Sequence, residues 1–253
     1  MLGWLRERES SCPAYWDGAT TLNQLELALA NRVLSRIAKD DLALLKPHLA
    51  PVELPLRKQL EIPNRNIEHV YFPTRGFASV VAKSSVGSIE VGLIGRESMS
   101  GLAVIMGASR TQNATYMQSA GAGYRISASN LRECMEQSAT LRLRLLRFGH
   151  AFLMQVAQTA LVNARNKLEE RLARWLLMAA DRTDGNDLQM THEFLAIMLG
   201  VRRAGVTIAL GLLESKAIIR IGRGKISVLD RGALVKLSNG AYTPVPDEDD
   251  DDA

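Results

Sequence analysis

The sequence predicts an α+β chain in three parts: a β-rich N-terminal domain, a long connecting helix, and a C-terminal helix-turn-helix followed by a β-hairpin. Three observations carry this reading. Between Pro51 and Ser127 the chain falls into short runs of β-branched and aromatic residues, punctuated by Gly, Pro, Ser and Asn. From about Ala139 apolar residues recur at steps of three and four. Thr191 to Glu214 then places a small residue, a glycine four positions on, and a second helical stretch that opens with two arginines. The chain has 253 residues, 47% of them hydrophobic, enough to bury one large core or two modest ones; a disordered chain and a short peptide scaffold are excluded.

Residues 1–20 carry no apolar period and are expected to form a disordered leader. Residues 21–138 make the first domain. It begins with Leu22, Leu25, Leu29, Val33, Leu34, Ile37, Leu42, Leu45 and Leu49 at helical spacing, which predicts two or three short helices broken near Lys39 to Asp41. Val52, Leu54 and Leu56 alternate, and Val70-Tyr71-Phe72 is a compact run ended by Pro73. Phe77–Ala82 and Ser88–Leu93 flank a hairpin-like turn, and Ala114–Ser119 and Tyr124–Ile126 are separated by Gly121-Ala122-Gly123. Short strands at nearly regular spacing suggest a small sandwich or barrel. A helix over Leu131–Gln137 closes the domain.

The long helix is expected over 139–166 and carries two apolar stripes. Leu141, Leu145, Phe148, Phe152, Val156 and Val162 form one; Leu143, Leu146, Leu153, Ala157, Ala160 and Ala164 form the other. One stripe suffices to pack on one domain, so two imply two partners, the second most economically the same helix of another subunit. Residues 167–238 make the second domain. Its first helix carries Leu168, Leu172, Trp175, Leu176 and Ala179, with Glu169-Glu170 in the first turn, where acids suit the helix dipole. Thr191 can cap the next helix, Gly200 provides the turn, and the following helix buries Val206, Ala209, Leu210 and Leu213. This leaves Arg202, Arg203, Ala204, Thr207, Ile208 and Gly211 outward, the pattern of a DNA-reading helix-turn-helix. Two more apolar runs flank Gly222-Arg223-Gly224, a wing with Arg223 and Lys225 at its tip, placed to touch phosphates.

Residues 239–253 are expected to be an acidic disordered tail. The formal net charge is +4, but Asp247–Asp252 holds six acids, so residues 1–246 carry +10 and lean toward a polyanionic partner. Two cysteines, Cys12 and Cys134, cannot build a disulfide framework or a four-thiolate site, and no stretch is apolar enough to span a bilayer; a reducing cytoplasm fits. The chain lacks GxSxG, HExxH and GxxxxGK[ST] motifs, and no enzyme activity is assigned. His48, His69, His150 and His192 fall in scattered contexts, so no metal site is assigned.

Leu195 to Glu214 together with the wing resembles the Crp/Fnr family of bacterial transcription regulators. Val70-Tyr71-Phe72-Pro73-Thr74-Arg75-Gly76 and Glu90 to Gly101 are similar to that family's sensor domain. The resemblance covers about Leu25 to Leu237. It implies a cyclic-nucleotide-binding-like β-roll or jelly-roll sensor over 21–138, a dimerisation helix over 139–166 and a winged helix-turn-helix over 167–238. It further implies a homodimer on double-stranded DNA with a palindromic operator, RNA polymerase as a partner and no membrane. Arg203 falls where the family places a base-reading arginine, suited to guanine O6 and N7. Ala204 and Ile208 depart from the cyclic-AMP receptor and imply a different operator, with Ile208 suited to a thymine methyl. Arg202 and Thr207 are expected at phosphates, with Thr191, Arg223 and Lys225 completing the DNA surface. Cyclic-nucleotide members use a Gly-Glu pair for the ribose and an Arg followed by Ser or Thr for the phosphate. The nearest matches are Gly95 and Glu97, split by Arg96, and Arg110-Thr111 at altered spacing. No cofactor is assigned: a cyclic nucleotide is disfavoured, and another small effector or none at all stays open. The alternative reading is a small-ligand module whose helix-turn-helix contacts protein.

Overall fold

The structure, a computed structural model, describes residues 29–85 and 87–244, so the expected leader and the acidic run lie outside the described residues. Asn31 caps α1 (Arg32–Ser35) by accepting from the Val33 and Leu34 amides. Its amide nitrogen donates to the carbonyls of Pro73 and Ser98, both at 2.8 Å, which ties the helix to the sheet. Next comes α2 (Lys39–Leu45), which starts where the sequence suggests a break, because Asp40 and Asp41 favour a first turn. A 3₁₀ turn (Lys46–His48) leads into the sheet.

Five antiparallel strands follow: β1 (Ala50–Leu54), β2 (Gln59–Glu61), β3 (His69–Ser84), β4 (Gly87–Ile94) and β5 (Ala114–Ser127), with a single turn of helix, α3 (Leu102–Ile105), before β5. The order is β1-β5-β3-β4, with β2 also on β5. Two breaks expected from sequence are absent. Pro73 does not end its strand: β3 runs on for 16 residues, and its pairing with β5 shifts register between Pro73 and Arg75, Arg75 and Phe77, and Phe77 and Ala78. Such bulges bend a strand without ending it and tolerate a proline. Gly121-Ala122-Gly123 is likewise inside β5, opposite Val52 to Leu54 of β1. A Cβ on Gly121 would lie 1.9 Å from the Arg75 carbonyl oxygen, so these glycines permit close strand approach at the bulges.

Ser127 caps α4 (Ala128–Gln137), and Ser138 caps α5 (Ala139–Arg165), a helix of 27 residues. Leu141, Leu145 and Phe152 are buried against α3 and the sheet, whereas Leu143, Leu146, Leu153 and Leu161 are exposed. The chain turns at Asn166 into α6 (Leu168–Ala180), where Glu170 accepts from the Lys167 amide. The C-terminal part continues through β6 (Asp187–Gln189), α7 (His192–Leu199), α8 (Arg203–Ser215), β7 (Ile219–Gly222), β8 (Lys225–Val228) and α9 (Arg231–Leu237). Its sheet has the order β6-β8-β7. The sequence pattern gives no clear sign of β6 or of α9; β6 is only three residues long, with Leu188 buried between exposed Asp187 and Gln189.

The two folded parts share a core. Phe77, Val81 and Leu93 of the large sheet pack in one apolar cluster with Trp175 and Leu176 of α6 and with α7 and α8. Polar groups cross the same boundary. Trp175 Nε1 donates to Glu90 Oε1 at 2.8 Å, the Ser79 hydroxyl donates to the other oxygen, and Arg182 pairs with Glu97. Burial pushes the Glu90 carboxyl up to about 7 against the pull of those two donors and of the Arg174 and Arg182 charges.

Candidate nucleic-acid interface

The C-terminal hairpin of helices is built from local signals. Thr191 Oγ1 accepts from the Phe194 amide and starts α7; Gly200 ends it with φ 62°, and an added Cβ there would lie 2.9 Å from Ile89 Cδ1. The turn needs glycine for both reasons. α7 and α8 meet at 108°. Together they are apolar, but their apolar residues form the shared core, and among the described residues no single helix is long and apolar enough to cross a membrane.

α8 buries Val206, Ala209, Leu210 and Leu213 and turns Arg203, Ala204, Thr207, Ile208 and Gly211 to solvent. Ile208 is 72% exposed, more than any other large apolar side chain among the described residues. Ile208 therefore contributes little to the core. Gly211 has open space around it, whereas Gly205 lies against Leu168, 3.3 Å from where a Cβ would stand. Gly205 is therefore explained by packing inside the domain rather than by an outward surface.

Arg202 precedes α8 as its N-cap and is exposed. Arg203 borders a cleft of about 230 Å³ between the start of α7 and the wing, together with His192, Glu193, Gly224 and Lys225. The Thr207 hydroxyl donates to the Arg203 carbonyl at 3.1 Å and lies 3.0 Å from His192 Nδ1. Its one proton is used inside the domain, so the expected donation to a phosphate needs that bond to exchange. In the wing, Arg223 is exposed at the β7–β8 turn. Lys225 is paired: its Nζ lies 2.6 Å from Asp187 Oδ2, while Ser227 donates to Oδ1, and these bonds hold the Asp187 carboxyl below its ordinary range. Sequence spacing misses this pair because Asp187 reaches Lys225 only through the β6–β8 pairing. Glu214, at the end of α8, accepts from the Ile221 amide and fixes the wing to the helix.

The effector candidates are not gathered. Gly95 is buried and donates to Glu97 Oε1, which also takes two bonds of 2.7 Å from Arg182; the side chains of that pair are 14% and 3% exposed. Arg110 is exposed and donates to Asn66 Oδ1 at 2.8 Å, and Thr111 accepts from the Asn113 amide. Glu97 thus joins the two folded parts, and Arg110 and Thr111 order a separate loop. Sequence reasoning also misses Glu61. Its buried carboxylate accepts from the Gly101 amide and the Thr115 hydroxyl, both at 2.6 Å, at the start of α3, and burial pushes its carboxyl up. A larger cleft of about 1070 Å³ lies between α1, α5, α6 and the C-terminal segment; Glu97 lines it, but Gly95, Arg110 and Thr111 do not. Among the described residues no three His, Cys, Asp or Glu side chains are grouped for a metal ion.

Residues 170–237 match the family model of the Crp-like helix-turn-helix domain. The whole described architecture is similar to solved structures of CRP/FNR proteins. A protein of Eubacterium rectale described as a transcriptional regulator of the Crp/Fnr family is 19% identical, with 83% of this chain and 99% of that one covered at a TM-score of 0.67. FixK2 from Bradyrhizobium japonicum is 17% identical, with 78% and 99% covered and a TM-score of 0.65. A CRP-family transcriptional regulator from Thermus thermophilus is 16% identical, with 76% and 98% covered and a TM-score of 0.63. No curated protein matches the chain in sequence.

Proposed function

We propose, on the premise that residues 170–237 are a Crp-like helix-turn-helix domain on a CRP/FNR-type fold, that the chain is a sequence-specific DNA-binding transcription regulator. The observation that carries this is the outward face of α8: two arginines at its start, small Ala204 and Gly211, and an isoleucine held in solvent. Small outward residues let a helix backbone approach the floor of a major groove, Arg203 suits guanine, and Ile208 suits a thymine methyl. Arg202 and Arg223 supply phosphate contacts, and Lys225 joins them by exchanging Asp187 for a phosphate oxygen.

The protein acts as a homodimer through the exposed stripe of α5. Leu143, Leu146, Leu153 and Leu161 leave a seam that a second α5 would cover. Two α8 helices related by a two-fold axis then read a palindromic operator. Selection of bound fragments from a random DNA pool tests this: two inverted half-sites about 10 base pairs apart are expected. An enriched single half-site would refute the dimer, and no enrichment would refute the reading. An effector that used Gly95, Glu97, Arg110 and Thr111 as one site would have to exchange the internal bonds that Glu97 makes with Arg182 and Arg110 with Asn66.

A further inference from the structure

We propose that His150 sits in the α5–α5 seam and makes the dimer weaken as pH falls, a step that rests on the homodimer reading of α5. The exposed stripe of that helix has one polar gap. Leu143, Leu146, Leu153, Ala157, Ala160 and Ala164 follow one another at steps of three and four, except between Leu146 and Leu153. His150 fills that gap, four residues after Leu146 and three before Leu153, and like all six of them it is exposed on the single chain. With His150 included the steps alternate strictly between three and four. That is the seam of a two-stranded coiled coil, with the histidine at a core position.

α5 leads directly into α6 and the helix-turn-helix, so two α8 helices on one palindrome share their two-fold axis with two α5 helices that run parallel. A core position of a parallel pair faces its own copy, and His150 therefore faces the partner's His150. The surroundings offer no free carboxylate. Arg144 and Arg147 flank His150 on α5, Arg32 and Arg36 come from α1, and Arg174 and Arg182 from α6 and its end. The C-terminal segment brings only Ala241, Thr243 and Pro244. Glu97 is the one acid lining this surface among the described residues, and its Oε1 already takes the Arg182 guanidinium. Histidine changes charge between pH 5 and 8. Two neutral imidazoles can be covered between Leu146 and Leu153, whereas two imidazolium ions would repel each other and the nearby arginines away from water. The dimer thus favours the neutral form, binds fewer protons than two separate chains, and loses affinity as pH falls. Because a palindrome needs two α8 helices, affinity for the operator falls with it.

The test is sedimentation equilibrium of the full chain at pH 8.0 and pH 5.5 and constant ionic strength, with the native protein, His150→Leu and His150→Lys. The native dimer is expected to weaken on acidification by about tenfold per histidine, up to about a hundredfold for the pair. His150→Leu completes the apolar seam, so it should dimerise more tightly than the native chain at pH 8.0 and change by less than about threefold at pH 5.5. His150→Lys carries its charge at both pH values and should be as weak at pH 8.0 as the native chain is at pH 5.5. Glu90 also takes up a proton over this range, but it is buried within each chain and present in all three proteins, so the difference between native and His150→Leu isolates His150. The proposal is overturned by equal pH dependence in those two proteins, by a native dimer indifferent to pH, or by a tight dimer of His150→Lys at pH 8.0. Failure of the homodimer reading itself gives a different result: native and His150→Leu chains are then both monomeric at pH 8.0, which removes the seam and this proposal with it.

Discussion

The outward face of α8 and the stretch from Gly95 to Thr111 offer the same kind of residues to a reader of the sequence and end differently in the fold. Arg203, Ala204, Thr207 and Ile208 lie within six residues on one helix, and the helical period sends them all to solvent. Gly95, Glu97, Arg110 and Thr111 span seventeen residues of strand, helix and loop; Gly95 bonds Glu97, and Glu97, Arg110 and Thr111 are taken by Arg182, Asn66 and Asn113 in turn. Exposed polar groups that the fold does not use are available to a ligand, whereas polar groups satisfied across a domain boundary hold the structure together.

The strongest way to break this contrast is Glu97→Ala. If Glu97 is structural, leaving Arg182 buried without its carboxylate should cost about 3–5 kcal/mol in denaturant unfolding, whereas a ligand-binding glutamate would leave stability unchanged. Within α8 the same comparison sets Leu210→Ala, fully buried and expected to cost about 2–5 kcal/mol, against Ile208→Ala, expected to stay within about 0.5 kcal/mol and to alter only DNA binding.

A pH series sharpens the boundary next. Glu90 is pushed up from 4.5 to about 7 in the folded state, so the folded form binds its proton more tightly than the unfolded form. Its stabilisation is therefore complete below about pH 4.5 and lost as pH rises through 7. The group should weaken unfolding stability by about 3 kcal/mol between pH 4.5 and 8, and Glu90→Gln should flatten that part of the profile. An unchanged slope in the variant would show that Glu90 is not the titrating group.

The smallest expected effect separates stability from binding at one residue. Gly211 is helical and has open space around it, so Gly211→Ala should raise the thermal midpoint, by roughly 0.5–1 kcal/mol of stability, and weaken DNA binding. A rise in both would mean that no DNA backbone comes close there.

How much was legible in the sequence follows the same division. Thr191, Gly200 and the apolar spacing of α8 are short-range signals, and the structure reproduces the cap, the left-handed turn and the buried face. The strands were legible as apolar runs, but Pro73 and Gly121-Ala122-Gly123 suggest ends where there are bulges, because register shifts depend on the partner strand. Lys225 with Asp187, Arg182 with Glu97, and Glu90 with Trp175 were hidden for the same reason: their partners are 38 or more residues away. Pattern fixes which way a side chain leaves its own element; only the assembled fold shows what it meets.

The measurement that bears most directly on the outward face of α8 is selection of DNA from one random pool by the native chain, Arg203→Ala and Ile208→Ala. The native chain is expected to enrich an inverted repeat. Arg203→Ala should lose preference at one guanine of each half-site with a cost of about 1–3 kcal/mol, and Ile208→Ala should relax one thymine, all other positions holding. A consensus identical for all three proteins would contradict the account.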